Sequence, residues 1–143
     1  MTRFPPDTKA SALSRAPLFE GLSRKDLIAL AKVTEDMDVP AGKVLCKQGD
    51  IGHEFFVILE GEADVTRGGE HVATLGAGEM FGEIALLEHV KRTATVTAKT
   101  PLHFFVMTSQ SFWSLIDHHP KIEREVLRTL ARRVLADSSR IPD

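Results

Sequence analysis

The period of apolar and polar positions changes twice along the chain. Between Ser23 and Val33, the residues Leu27, Leu30, Ala31 and Val33 recur at three- and four-residue steps, as on one face of a helix. Ser23 with Asp26 three residues on reads as the cap of that helix. Upstream, Thr8 to Arg15 predicts a short helix ended by Pro17. Residues 1–13 are expected to be a flexible segment or the start of that helix. From Asp36 the period shortens to two. Runs rich in Val, Ile, Phe and Thr alternate with glycines from Gly42 to Gly82, the texture of an all-β sandwich or barrel. Phe55-Phe56-Val57-Ile58-Leu59 is apolar on both faces, so it predicts a central strand covered on both sides. Ala63 and Val65 alternate with polar residues, and Gly68-Gly69 makes a hairpin turn before Glu70 to Leu75. Thr93 to Ala98 and Leu102 to Met107 predict two more strands. Helical spacing then returns. Ser109 or Ser111 would cap a helix through Phe112, Leu115 and Ile116 that stops near His118-His119-Pro120. Beyond it, Ile122, Val126, Leu130 and Val134 recur every four residues, opposite Arg124, Arg128 and Arg132. The expected class is mainly β with helices at both ends.

Composition narrows the reading only a little. A chain of 143 residues with 43% hydrophobic and 27% charged residues fits one globular domain. The net charge of −2 gives no global attraction to nucleic acid. Cys46 is the single cysteine, which excludes an internal disulfide and reads as a small buried hydrophobe. No stretch approaches the roughly 20 apolar residues of a membrane helix, and MTRFPPDTKASALSRAP lacks the apolar core of a signal peptide. A cytoplasmic protein or module is expected.

The chemistry concentrates in FGEIALLEHVKRTATV, residues 81–96. Glu83 stands in an apolar run and Arg92 opens the strand-like segment that follows. Buried charges are costly unless paired or liganded. Gly78 and Gly82 bracket a chain reversal, and Ile84 to Leu87 could form one helical turn whose opening N–H groups favour an anion. The planar fork of Arg92 matches two phosphate oxygens. Strand alternation would place Arg92, Ala94 and Val96 on one face, with Ala94 leaving room above it. Glu83 repels a phosphate but accepts hydrogen bonds from sugar hydroxyls. Together these residues describe a pocket for a phosphorylated sugar. The competing reading is that Glu83 and Arg92 merely pair with each other.

Gly82-Glu83-Ile84-Ala85-Leu86 followed by Arg92-Thr93-Ala94 resembles the phosphate-binding cassette of cyclic nucleotide-binding domains, the family of kinase regulatory subunits, gated channels and catabolite-activator-type regulators. Pro40-Ala41-Gly42, Gly49-Asp50, Gly52, the Phe55 to Leu59 run and Gly61 extend the likeness, which covers residues 14–137 and leaves 138–143 as a tail. The resemblance implies an eight-stranded antiparallel β-roll, jelly-roll-like, with flanking helices. It implies that Glu83 accepts the ribose 2′-hydroxyl and that Arg92 pairs with the exocyclic phosphate oxygens. N–H groups near Ala85 and the Thr93 hydroxyl would complete the cradle, with Gly82, Ile84 and Ala94 shaping it. Leu86 would move against a hinge near Phe112, and Arg132 or Arg133 would cap the base from the last helix. The ligand is expected to be cAMP in preference to cGMP, bound by a sensor and not an enzyme, without a cofactor. Lys91 stands where the family often has proline, which should loosen the loop before Arg92. The alternative is a degenerate member that has lost its ligand and serves as a protein-interaction module.

Other classes lack their residues. His53, His71, His89 and His103 form no His-x-His pair for a cupin-type metal site. After the long helix only a few residues remain, so no DNA-reading module and no direct nucleic-acid contact is expected. The chain could instead serve a protein effector or a parent protein. The apolar spacing of the last helix drifts from a heptad, which favours a monomer or weak dimer.

Overall fold

A computed structural model describes residues 6–138. Residues 1–5 and 139–143, parts of the expected N-terminal segment and tail, lie outside the described residues. Helix α1 (Pro6–Leu13) starts and ends two residues before the sequence expectation, since proline is tolerated in a first helical turn. A 3-10 turn at Pro17–Phe19 leads to α2 (Arg24–Lys32). Ser23 caps α2 as expected, its hydroxyl accepting from the Asp26 N–H at 3.2 Å.

Eight strands follow: β1 (Glu35–Val39), β2 (Val44–Cys46), β3 (Glu54–Glu60), β4 (Ala63–Arg67), β5 (Glu70–Leu75), β6 (Met80–Phe81), β7 (Thr95–Ala98) and β8 (Leu102–Thr108). They form two four-stranded antiparallel sheets, β1-β8-β3-β6 and β2-β7-β4-β5. The chain ends in α3 (Ser109–Ile116) and α4 (Pro120–Ser138). The cap of α3 is Thr108, whose hydroxyl accepts from the Ser111 N–H at 3.1 Å; Ser109, expected as a cap, is already helical.

The two-sided strand explains the layering. Phe55 and Val57 of β3 pack with Phe105, Met107 and the helices, while Phe56 and Ile58 face the other way, between the sheets, with Phe104 and Val96. Burying both faces removes apolar surface on each at about 25 cal/mol per Å². Cys46 lies in the inter-sheet core, and burial pushes its thiol up to about 11. It stays protonated and unreactive at neutral pH. No helix among the described residues is long and apolar enough to cross a membrane.

Helix α4 follows the four-residue pattern only in its first half. Ile122 and Val126 are buried, whereas Val134 is 63% and Leu135 69% exposed. The apolar stripe outruns the body of the domain.

Candidate functional site

The chain reverses after β6 at Gly82, whose φ of +83° suits glycine. A 3-10 turn over Glu83–Leu86 follows, one residue earlier than expected. The loop from Leu87 returns to β7, which begins at Thr95 and not at Thr93. Arg92, Thr93 and Ala94 therefore lie before the strand, and strand alternation does not aim their side chains. They nevertheless meet: a cleft of about 470 Å³ is lined by Gly82, Glu83, Ile84, Ala85, Arg92, Thr93 and Ala94. Seven expected site residues thus share one cavity.

Arg92 is held ready at its floor. Its Nη2 donates to the Glu54 carbonyl at 2.9 Å, the Glu54 carboxylate stands 3.9 Å away, and the guanidinium lies over the Phe56 ring, 5.9 Å from the centroid. Two glycines make the space. A Cβ on Gly52 would come within 2.6 Å of Arg92 Nε, and one on Gly82 within 2.6 Å of Nη1. A guanidinium fixed by stacking and a backbone carbonyl gives up less freedom on binding a planar pair of oxygens.

These distances carry a prediction. Gly52→Ala should cost stability, by about 1–3 kcal/mol, because the methyl pushes Arg92 off the Glu54 carbonyl and leaves that acceptor without its donor. It should weaken binding of any anion at Arg92 at least tenfold, which titration against wild type would read. Unchanged affinity would mean that the position of Arg92 is unimportant.

Glu83 and Arg92 take different partners. One Glu83 oxygen accepts from the Leu18 N–H at 3.2 Å, and the other faces Arg133 Nη1 at 3.5 Å. The reading in which the two charges satisfy each other is therefore not what the structure shows. Arg133, one of two lid candidates, is outside the cleft lining but touches Glu83, which belongs to it. Arg132 lies beside Gly21 and outside the cleft lining. The Ala85 N–H, expected in a phosphate cradle, donates to the Gly82 carbonyl at 3.1 Å, closing the turn. A bound anion would have to share or displace that bond. Leu86 and Phe112 are both fully buried, in the same core.

The sequence reading missed a charged lining residue. Arg67, at the end of β4, shares the cleft with Val65, and its Nε donates to the Thr93 carbonyl at 3.2 Å. The signal was present: Val65 and Arg67 are two apart on one strand and so point to one face. Among the described residues no group of three or more His, Cys, Asp or Glu side chains could hold a metal ion.

The sequence profile of the cyclic nucleotide-binding domain matches residues 37–119, more than half of the chain. The chain belongs to the cyclic nucleotide-binding domain family. Relatives agree. A cyclic nucleotide-gated potassium channel of Rhizobium etli is 34% identical over 121 residues, covering 85% of this chain and 34% of the channel. Among solved structures, the N-terminal domain of a transcriptional regulator from Streptomyces coelicolor A3(2) superposes with a TM-score of 0.81 at 25% identity, covering 92% of this chain and 96% of that one. The regulatory domain of Toxoplasma gondii PKA, crystallised with cAMP, gives a TM-score of 0.69 at 27% identity over 77% of this chain and 44% of that one. The chain spans only 34% of the channel's length. The mainly β fold, an eight-stranded antiparallel roll with flanking helices, is the one the cassette resemblance implied.

Proposed function

We propose that this domain is a cyclic nucleotide sensor whose ligand is held by phosphate at Arg92 and by ribose at Glu83. The observation that carries the reading is the clamped Arg92 guanidinium, with Glu83 lining the same cleft. Gly82, Ile84, Ala85, Thr93 and Ala94 would shape the cradle around the phosphate. cAMP is the first ligand to test, because a solved relative was crystallised with it. The site is read as a binding site and not a catalytic one: its charges suit recognition of phosphate and hydroxyls. No metal or cofactor is required by this chemistry, and a cytoplasmic location is consistent with it.

The coupling we infer runs through Glu83. It already holds the Leu18 N–H of the N-terminal turn and Arg133 of α4. A ribose hydroxyl arriving there changes the balance of both bonds. Leu86 and Phe112 would pass a shift of the turn to α3, and α4 would close over the base with Arg133 as the nearer lid residue. Moving such a lid from 1:99 to 99:1 requires about 5.5 kcal/mol of preference for the closed state. Hydrogen exchange over residues 110–137 tests this; protection unchanged at saturation would defeat the lid.

Arg67 favours a second reading, in which cGMP is the ligand. Val65, Val96 and Arg67 line the same cleft, and in this reading the purine lies against them. Guanine presents O6 and N7, two acceptors that suit a guanidinium, whereas adenine replaces O6 with a donor. Calorimetric titration of both nucleotides into wild type and Arg67→Ala decides between them. If Arg67 reads the base, the variant loses about tenfold or more for cGMP and little for cAMP. Equal losses would assign Arg67 to the phosphate.

The apolar spacing of α4 drifts from a heptad, so a monomer or weak dimer is the expected state, which sedimentation equilibrium checks. An effector protein or a parent protein remains the proposed recipient of the signal.

A further inference from the structure

Away from the cleft, α2 and α3 enclose a groove of about 660 Å³. Its floor is apolar: Ile28 and Ala29 from α2, Val33 just after it and Leu115 from α3, all half-buried. Its rim is basic: Arg24, Lys25 and Lys32, with His119 at the far edge. The one acidic lining residue, Asp26, is buried. This local sign opposes the whole chain, whose net charge is −2.

Only part of this charge serves the helix: Lys32 lies in the last turn of α2, where the macrodipole favours a cation. Arg24 and Lys25 occupy the first turn of α2, where the macrodipole disfavours positive charge. Arg24 is offset by Asp7 at 3.3 Å. Lys25 and Lys32 form no ion pair among the described residues. Lys25 alone stands against the macrodipole with no ion pair to offset it, and with Lys32 it leaves the rim of the groove positive.

We propose that this groove docks an acidic amphipathic helix of a partner protein, with apolar side chains on the Ile28–Leu115 floor and carboxylates at Lys25 and Lys32. The two lysines are seven residues apart, so they stand about 10 Å apart along α2. A partner helix lying along the groove would meet them with carboxylates two turns apart, at i and i+7. The floor is recessed between helices, which suits an inserted helix side chain better than a flat bilayer. The groove is separate from the nucleotide cleft and does not rest on the reading given for it.

The test uses a fluorescent helical peptide with leucines at i, i+3 and i+7 and glutamates on both flanks, titrated into the whole chain by anisotropy. Saturable binding is expected, weakened about tenfold or more in the Lys25→Glu/Lys32→Glu double variant and steeply reduced by salt. Ile28→Ser provides a second variant that keeps the charges and should also weaken it. Equal affinity for the double variant, equal binding of a peptide with lysines in place of glutamates, or no saturable binding would each overturn the proposal. So would binding of phosphatidylglycerol vesicles without the peptide, which assigns the surface to a membrane, or self-association abolished by the same variants, which assigns it to a second copy.

Discussion

Arg92→Ala should lose at least about a hundredfold in affinity for cyclic nucleotide while the protein remains folded. A charge-assisted, bidentate pair is the strongest single polar contact the cleft can offer, and truncating one partner of a buried charge pair costs about 2–5 kcal/mol. The arginine side chain is 11% exposed, so water does not replace it well. Removing it also has a structural cost. The Glu54 carbonyl loses its Nη2 donor, 2.9 Å away, and a buried acceptor left bare costs about 1–3 kcal/mol. Titrations therefore belong at a temperature where melting curves show both proteins folded. Arg92→Lys refines the test, keeping the charge but not the fork. It should fall between the two, because a point charge cannot reach both oxygens in one plane. If folded Arg92→Ala binds as wild type does, the phosphate lies elsewhere and the proposed site is wrong.

Parts of this molecule were readable from its sequence because one local signal decided them. The Phe55 to Leu59 run could only be a strand buried on both faces, and the structure puts alternate residues into the two cores. Ser23 is a cap by its own chemistry. Other parts depend on partners distant in sequence. Strand β1, Glu-Asp-Met-Asp-Val, has an acidic, largely exposed sequence and is a strand only because β8 pairs with it from Glu35↔Val106 to Val39↔Leu102. The cassette residues were legible as a set because they lie within thirteen positions of one another, from Gly82 to Ala94. Their surroundings were not. The bonds that fix Glu83 come from residues 65 and 50 positions away. Arg67 lies 26 positions from the carbonyl it contacts. Arg92, Ala94 and Val96 share the cleft as expected, but Arg92 and Ala94 lie before the strand, for a related reason. A period of two applies only once the ladder has begun, and here it begins at Thr95.

Phe112→Ala should be the most destabilising single change in this region, by about 3–5 kcal/mol. Phe112 is fully buried, its ring 6.1 Å from Phe19, which in turn lies 6.2 Å edge-on to Phe55. This chain of rings joins α3, the N-terminal turn and β3, so the void left by truncation has walls on three elements that cannot collapse together. Against a total stability of about 5–15 kcal/mol, such a loss lowers the melting temperature on the order of ten degrees. Phe112→Leu fills most of the volume and should cost a fraction of that, which makes it the variant for testing coupling. If Phe112 relays movement of Leu86 to the last helix, the leucine variant will still bind nucleotide but will show a smaller gain of protection over α4 on binding. A leucine variant with full affinity and an undiminished helix response would leave Phe112 as core alone. The signal would then have to travel through the Glu83–Arg133 bridge, which reaches α4 without passing through α3.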